Sequence, residues 1–237
     1  MTANGEMTFE LGARLDACAD FVRRGKIPAD IGTDHAYLPI WLVQTGKVPM
    51  AYASDINEEP IRSAKNNIES HRLNEKIITF TANGLEKIPC DNVDDIIIAG
   101  MGGDNIAAIL DGGKWLKNAR YRLILQPMSR TARLREYLFK NGFVIIDEKA
   151  VCEAGRIYTV ICAAFSETNV LYDEFDLYAG RLDSSDPNAA ELMKKQAGIL
   201  LSMAEGCAAK KDYSGQAHYI MLAEKLIDNV RGGKSND

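Results

Sequence analysis

The sequence lacks the cysteine pattern and the long apolar segments that mark several classes of protein. Its five cysteines form no CxxC pair and no cysteine–histidine spacing. We therefore expect neither a disulfide framework nor a bound metal. The sequence has no run of about 18 apolar residues, so we predict no membrane span. It also has no charged stretch followed by an apolar run, so we predict no signal peptide. These absences favour a cytoplasmic protein with no membrane partner.

The order of the apolar segments predicts an α/β domain built on one sheet. Short β-rich runs alternate with segments of helical periodicity as far as residue 140. Two further β-runs, 143–151 and 157–165, flank Glu153-Ala154-Gly155-Arg156, a spacing typical of an antiparallel hairpin. We therefore predict a doubly wound α/β sheet with an antiparallel terminal hairpin. The other predicted strands are 27–31, 51–54, 77–81, 93–99 and 122–125, and the helices are 11–22, 37–43, 58–70, 106–110 and 131–140.

The rest of the chain divides into a connector and a helical segment. Residues 166–186 are polar and acidic, which is typical of a connector after a domain spanning residues 1–165. From residue 187 to 237 the pattern is helical and breaks near 212–215, which predicts a small coiled-coil-like helical hairpin. Its apolar residues could pack within the hairpin, or the hairpin could hold a large substrate, and the sequence leaves both readings open.

Polar residues and glycines stand where the first three predicted strands end. Ligands of doubly wound sheets bind outside the carboxyl ends of the strands. There the carboxylate of Asp30 can accept a bond from a ligand ammonium group, and Asp55 can accept bonds from both hydroxyls of a ribose. The amide of Asn83, beside Gly84, can bond the edge of an adenine. The alternative is that these residues only form turns and caps.

The turn after the first strand, Gly32-Thr33-Asp34-His35-Ala36, favours one cofactor over another. Gly32 permits a tight turn and a close approach of backbone to ligand. A dinucleotide site would have G-x-G-x-x-G here, to bind a pyrophosphate, whereas this chain has the acid Asp34 in place of the second glycine. That carboxylate suits a ligand with a sulfonium and an amino group, which is S-adenosylmethionine. His35 can act as a base or as a structural hydrogen-bonding group.

A glycine-rich segment after the fourth strand predicts where a base would bind. Gly100-Met101-Gly102-Gly103 has three glycines in four residues, which lets a planar base approach backbone groups. Gln126-Pro127, after the fifth strand, could line the same cleft. The alternatives are a flexible strand-to-helix turn for the first segment and plain turn residues for the second.

The charge distribution indicates an RNA partner despite a net charge of −5. Residues 112–140 hold eight basic side chains against the single acid Glu136. A basic patch beside a cleft is typical of binding to a phosphate backbone, although a solvated helix face would give the same pattern. The predicted RNA-binding residues are Lys114, Lys117, Arg130 and Arg133, extended from the opening helix by Arg14, Arg23 and Arg24.

Three of these segments together resemble one family. Residues 30–39 read Asp-Ile-Gly-Thr-Asp-His-Ala-Tyr-Leu-Pro, residues 98–103 read Ile-Ala-Gly-Met-Gly-Gly, and residues 125–127 read Leu-Gln-Pro. In order and spacing they are similar to the bacterial tRNA (adenine-22-N1)-methyltransferases, which the opening Arg14-Leu15 also fits. The resemblance covers residues 10–165. The family usually has Gly-Asp-Gly-Leu where this chain has Ala82-Asn83-Gly84-Leu85.

The resemblance implies a Rossmann-like methyltransferase domain that transfers a methyl group from S-adenosylmethionine to N1 of an adenine in tRNA, with no metal. We expect it to act as a monomer or weak homodimer. The implied cofactor-binding residues are Asp30, Gly32, Thr33, Asp34, His35, Asp55, Ile56, Asn83, Gly84 and Gly100. The implied catalytic residues are Asp34, Gly100, Met101, Gly102, Gln126 and Pro127, among which Asp34 would stabilise positive charge on the adenine. A methyltransferase of another RNA or of a small molecule, a nicotinamide-binding protein and a non-catalytic nucleotide-binding module stay open as alternatives.

Overall fold

A computed structural model describes residues 9–167 and 171–232. Residues 1–8 of the predicted domain, 168–170 of the predicted connector and 233–237 of the predicted helical hairpin lie outside the described residues. The strands are β1 (Pro28–Ile31), β2 (Ala51–Asp55), β3 (Ile77–Thr81), β4 (Asp95–Gly102), β5 (Arg122–Ser129), β6 (Phe143–Glu153) and β7 (Arg156–Phe165). The helices are α1 (Ala13–Phe21), α2 (Tyr37–Gln44), α3 (Glu58–Ser70), α4 (Gly103–Asp111), α5 (Thr131–Lys140), α6 (Glu174–Ala179), α7 (Pro187–Ala209) and α8 (Tyr213–Gly232).

All seven strands form one sheet, in the order β3-β2-β1-β4-β5-β7-β6. The first five are parallel, and β7 pairs antiparallel with both β5 and β6. This confirms the predicted doubly wound α/β sheet with its antiparallel terminal hairpin. Strand order reverses between β1 and β4, so the carboxyl ends of these two neighbours are where a cleft is expected.

The sheet is covered on both faces because successive side chains of a strand point to opposite sides. In β4, Ile96 and Ile98 belong to one buried cluster and Ile97 to the other. All three side chains are fully buried. A parallel sheet that is covered on both faces reads as a continuous apolar run, which is why β4 stands out in the sequence.

Two strands are longer than their apolar runs predict. Beyond Ala99 and Gln126, β4 and β5 continue through the pairs Met101–Pro127 and Gly102–Ser129, with register shifts around Met101. Gly100 is the extra residue and has a φ of +78°, the left-handed conformation of a glycine bulge. The alternative reading of residues 100–103 as a flexible strand-to-helix turn is therefore wrong: residues 100–102 extend β4, and Gly103 begins α4.

The C-terminal helices α7 and α8 pack against each other, and the segment around α6 that precedes them is joined to the sheet domain by a buried ion pair. Arg135 of α5 donates from Nε to Glu148 Oε1 of β6 over 2.8 Å, and both side chains are buried. The same guanidinium donates to the carbonyl of Leu177 in α6, and Glu148 accepts the backbone N–H of Arg181. The predicted connector thus contains a short helix whose backbone is held against the sheet domain. No helix in the described ranges is long and apolar enough to cross a membrane.

Candidate functional site

Two cavities meet over Gly32 at the carboxyl edge of the sheet. One, of about 340 Å³, lies between the β1–α2 turn and the end of β4. The other, of about 300 Å³, lies between the ends of β1, β2 and β3 and the first turns of α4. The first is lined by Arg14, Leu15, Asp30, Gly32, Thr33, Asp34, His35, Ala36, Tyr37, Leu38, Ala99 and Gly100. The second is lined by Ile31, Gly32, Asp55, Ile56, Ala82, Asn83, Gly84, Met101, Asn105, Ala108 and Ile109.

Gly32 is the residue that lets the two cavities meet. Its φ is +80°, and its N–H and that of Thr33 both donate to the carbonyl of Ser54 in β2, over 2.7 and 2.9 Å. A Cβ at this position would lie 2.0 Å from Cε of Met101. The left-handed backbone, which strains any residue that has a Cβ, is therefore what favours glycine here, and Met101 beside it lines the second cavity.

Asp30 is the buried charge of the first cavity. Asp30 is 9% exposed, and burial raises the pKa of its carboxyl to about 6. A hydrogen bond from Thr33 lowers this pKa in part, and the nearby charge of Asp55 raises it further. A carboxylate that has lost most of its water gains from a cationic partner. The structure thus fits a ligand ammonium group at Asp30, as the sequence predicts.

Asp55 and Asn83 line the second cavity together with Ile56, the apolar residue that the family resemblance assigns to the same site. Asp55 accepts the N–H of Asn57 over 2.8 Å, and Asn83 donates to Glu86 over 3.3 Å. Ile56 is 62% exposed, which leaves an apolar surface beside these polar groups. Asn105, Ala108 and Ile109 on α4 complete the cavity. The helical spacing of these three residues after the glycine-rich segment could have indicated them.

Asp34 and His35 stand at the mouth of the first cavity. The Asp34 side chain is 76% exposed, and its Oδ2 lies 3.2 Å from Nε2 of His35. The His35 carbonyl accepts a hydrogen bond from the Asn67 side chain over 3.0 Å. The turn backbone is thus anchored, whereas the Asp34 carboxylate faces outward, where a substrate would reach it.

Gln126 has a different place from the predicted one. It is fully buried, and its Oε1 accepts the N–H of Gly100 over 3.0 Å and Nη1 of Arg14 over 2.9 Å. Pro127 is buried beside it, and the Pro127 carbonyl accepts a hydrogen bond from Nε2 of Gln126. The prediction that these two side chains line the cleft is therefore wrong. Gln126 instead holds the bulged backbone of Gly100, because paired strands carry its side chain into the interior.

The matches to known proteins agree with this arrangement. A family model described as a methyltransferase domain matches residues 11–161. The chain is 40% identical over 173 residues to the tRNA (adenine(22)-N(1))-methyltransferase of Bacillus subtilis, which is 73% of this chain and 73% of that protein. The chain belongs to this methyltransferase family.

Solved structures of the family extend the match to the C-terminal helices. The crystal structure of the B. subtilis M1A22 tRNA methyltransferase TrmK superposes with a TM-score of 0.83 at 31% identity, covering 92% of this chain and 99% of that chain. The M. capricolum TrmK in complex with the natural cofactor product S-adenosyl-homocysteine gives 0.79 at 27% identity, covering 95% and 100%. The family resemblance and the Rossmann-like methyltransferase fold are therefore confirmed.

The basic residues predicted to bind RNA do not form one patch in this family member. Arg23 donates to the buried carboxylate of Asp95 over 2.7 Å and to the carbonyls of Asp94 and Arg120. These groups lie at the amino-terminal edge of the sheet, opposite the cleft, because β4 and β5 begin there. Arg24 precedes β1 at the same edge, and Lys114 and Lys117 lie in the connection that leads to the start of β5. The predicted single patch beside the cleft is wrong, because each strand and helix carries the chain across the sheet and back.

Arg14 is also placed differently. It is at the cleft edge, but its guanidinium is paired with Glu153, donates to Gln126 and lies over the ring of Tyr158 at 5.3 Å. These contacts make it a structural partner of the Gly100 backbone more than a free phosphate ligand. Of the predicted RNA-binding residues, Arg130 and Arg133 remain on the cleft side with exposed side chains, Arg130 paired with Asp104 and Arg133 with Glu136 at 3.9 Å.

Proposed function

We propose that this chain methylates N1 of an adenine in tRNA, at the position numbered 22 in the name of its B. subtilis relative, with S-adenosylmethionine as methyl donor. The observation that carries the proposal is the pair of cavities that meet over Gly32, one with a buried carboxylate at Asp30 and the other with Asp55 and Asn83. The M. capricolum relative binds S-adenosyl-homocysteine. The two parts of such a ligand, an amino acid and an adenosine, match the two cavities.

The residues present fit S-adenosylmethionine chemically. Asp30 would bind the ammonium group of its amino acid portion, on a cavity wall that also carries the opposite charge of Arg14. Asp55 would accept the ribose hydroxyls, Asn83 would bond the adenine edge, and Ile56 and Ile109 would contact the faces of the ring. When bound, this cofactor supplies a methyl group on a positively charged sulfur. Asn83 keeps a hydrogen-bonding side chain where the family usually has an aspartate.

The chain's own contribution to the reaction is mostly one of position and charge. N1 lies on the pairing edge of adenine, so the base must leave its pair before it can enter the cleft. Gly100 and Gly102 leave room for a planar ring, and Gln126 holds the Gly100 backbone in place. Fixing the base in line with the methyl group removes most of the entropic barrier. Asp34, at the mouth, stabilises the positive charge that the adenine gains.

The test of the activity is direct. The purified protein is incubated with labelled S-adenosylmethionine and bacterial tRNA, and the modified nucleoside is identified and mapped. We expect N1-methyladenosine at one position of the tRNA. Label found in another RNA, in a small molecule, or nowhere would contradict the proposal. We also propose that the enzyme is a monomer or a weak homodimer and acts on tRNA in the cytoplasm. Size-exclusion chromatography of the same preparation tests the oligomeric state.

Asp34 gives a sharper test of the mechanism. Asp34→Ala should keep affinity for S-adenosylhomocysteine within about fivefold and lose methyl transfer by about a hundredfold, because one group that stabilises transition-state charge is removed. Asp34→Asn serves as the matched variant, which keeps the size and loses the charge, and should be nearly as slow. Turnover of purified tRNA by Asp34→Ala at the normal rate would remove Asp34 from the mechanism.

A further inference from the structure

Two aromatic rings, those of His35 and Tyr37, lie at the mouth of the first cavity. The ring of Tyr37 lies 5.2 Å from the ring of His35 with an interplanar angle of 34°. Both residues line the cavity that contains Asp30 and Gly100. Tyr37 is 46% exposed and the His35 side chain is 41% exposed. The two rings are therefore in contact with each other and partly exposed at the rim of the cavity.

Phe9 packs against the exposed ring of Tyr37. The ring of Phe9 meets that of Tyr37 edge-on at 5.3 Å and 64°, and also contacts the ring of His71 at 5.8 Å and 70°. Between the two exposed rings, Ala36 is buried and has a φ of +55°, a conformation that costs a non-glycine residue free energy. That backbone turn brings the rings of His35 and Tyr37 into contact.

A packing role alone does not account for Tyr37. The same helix buries Leu38, Ile40 and Leu42 almost completely, so its apolar face toward the sheet is already occupied. Tyr37 instead lies at the edge of the cavity, where it contacts the rings of Phe9 and His35 and remains 46% exposed. Tyrosine is enriched at binding surfaces, because its ring can pack against a partner while its hydroxyl stays in water.

We propose that Tyr37, supported by His35, is a stacking surface for an unpaired nucleobase of the RNA as it enters the cleft. Every nucleobase has a flat aromatic face, and single-stranded RNA is commonly bound by stacking on tyrosine, phenylalanine or histidine. Such a contact offsets part of the cost of unstacking the base from its helix. This inference rests on the proposed tRNA methylation and adds the residue that receives the displaced base.

The experiment compares two substitutions of Tyr37 in the full chain. Tyr37→Leu removes the aromatic face and keeps the apolar bulk, and we expect it to raise KM for tRNA about tenfold, a typical contribution of one stacked base. Tyr37→Phe keeps the ring and should recover KM to within about twofold of the wild type. Affinity for S-adenosylhomocysteine, measured by calorimetry, checks that each variant is folded and should change little in both.

A second readout reports stacking without turnover. Transcripts of the tRNA carry 2-aminopurine at the methylated position or at either neighbour, and the wild-type protein should quench its fluorescence at one of these positions. Tyr37→Leu should abolish that quenching and Tyr37→Phe should retain it. If Tyr37→Leu loses its affinity for S-adenosylhomocysteine, Tyr37→Trp replaces it and should quench at least as strongly as the wild type.

The outcomes separate this inference from the proposed function. A wild-type protein that methylates tRNA, together with a Tyr37→Leu variant of unchanged KM and unchanged quenching, overturns the stacking role and leaves the function standing. Equal damage by Tyr37→Phe and Tyr37→Leu also overturns it, because the hydroxyl and not the ring would then matter. A wild-type protein that neither binds nor methylates tRNA contradicts the proposed function itself.

Discussion

At the scale of single residues, Asp30 opposes folding and serves ligand binding with the same carboxylate. It ends up almost without water at the carboxyl end of β1, and burial raises its pKa to about 6 from an ordinary value of 3.8. The Thr33 hydroxyl supplies only part of the lost hydration. A buried carboxylate in this state is stabilised by a cation, which explains why the fold retains it at the cleft.

The raised pKa of Asp30 predicts how affinity for S-adenosylhomocysteine depends on pH. Below a pH of about 6 the carboxyl is mostly protonated and cannot attract an ammonium group, so affinity should rise as the pH increases through about 6. Asp30→Asn should bind weakly at every pH from about 5 to about 7.5. Calorimetric titrations over that range make the measurement, and a wild-type affinity that stays flat would contradict the assignment of Asp30.

The raised pKa of Asp30 also means that its ionised carboxylate destabilises the folded protein when no ligand is bound. A carboxyl whose folded pKa lies above its unfolded value costs nothing below a pH of about 3.8, and its cost grows to roughly 3 kcal/mol above a pH of about 6. Asp30→Asn should therefore unfold at a higher temperature than the wild type near pH 7, and the difference should vanish in acid. This gain also serves as the control that the variant is folded when it fails to bind.

At the scale of elements, the start of α4 is packed against the backbone that leads into α5. A Cβ on Gly103 would lie 2.6 Å from the carbonyl oxygen of Arg130 and 3.1 Å from that of Ser129. A Cβ on Gly102 would meet only the Ser129 hydroxyl, at an ordinary 3.4 Å. Arg130 itself has a φ of +56°. The two neighbouring glycines therefore have different roles, although the sequence presents them as one motif.

This difference predicts a contrast between two alanine variants. Gly103→Ala should lower the free energy of unfolding by about 1–3 kcal/mol, because backbone atoms must move to admit the methyl group. Gly102→Ala, whose backbone any residue adopts, should change it by less than about 0.5 kcal/mol. Urea denaturation of both variants makes the comparison. Equal effects would mean that the close approach of α4 to the Arg130 backbone does not matter.

At the scale of the whole molecule, the winding of the chain divides its positive charge between two edges of the sheet. Eight basic residues in residues 112–140 read as one block in the sequence. In the structure Arg135 is buried in its ion pair with Glu148, Lys117 lies on the way to the amino-terminal edge, and Arg133 lies on the cleft side with a 71% exposed side chain. The block therefore contributes only a few charges beside the cleft.

A matched pair of charge reversals tests this division. Arg133→Glu and Lys117→Glu change the net charge by the same amount at exposed positions on opposite sides. Arg133→Glu should weaken tRNA binding about tenfold and reduce its salt dependence, whereas Lys117→Glu should change the Kd by less than about twofold. Filter binding at several salt concentrations gives both quantities. Equal losses would show that only the total charge counts.

The pattern of residues alone predicts the sheet, the order of its elements along the chain and the residues at the strand ends. Burial on both faces demands apolar runs, and a ligand at the carboxyl edge demands glycine and polar residues just after them, so Gly32, Asp30 and Asp55 could be predicted locally. Even the hairpin turn at Glu153 to Arg156 follows from neighbours in the chain. These features depend on interactions of short range, which the pattern of residues records.

Tertiary structure alone decided which polar groups face each other. The partner of Gln126 is the backbone of Gly100, that of Arg23 is Asp95, and that of Arg135 is Glu148. The first pair joins two neighbouring strands, whereas the second joins a loop to β4 and the third joins α5 to β6. A glutamine or arginine reads the same in the sequence whether it is buried or exposed. The placement of Tyr37 beside His35 similarly depends on a left-handed Ala36 that no residue preference predicts. Where a long side chain ends is a property of the packed molecule, because burial decides whether its hydrogen bonds go to protein or to solvent.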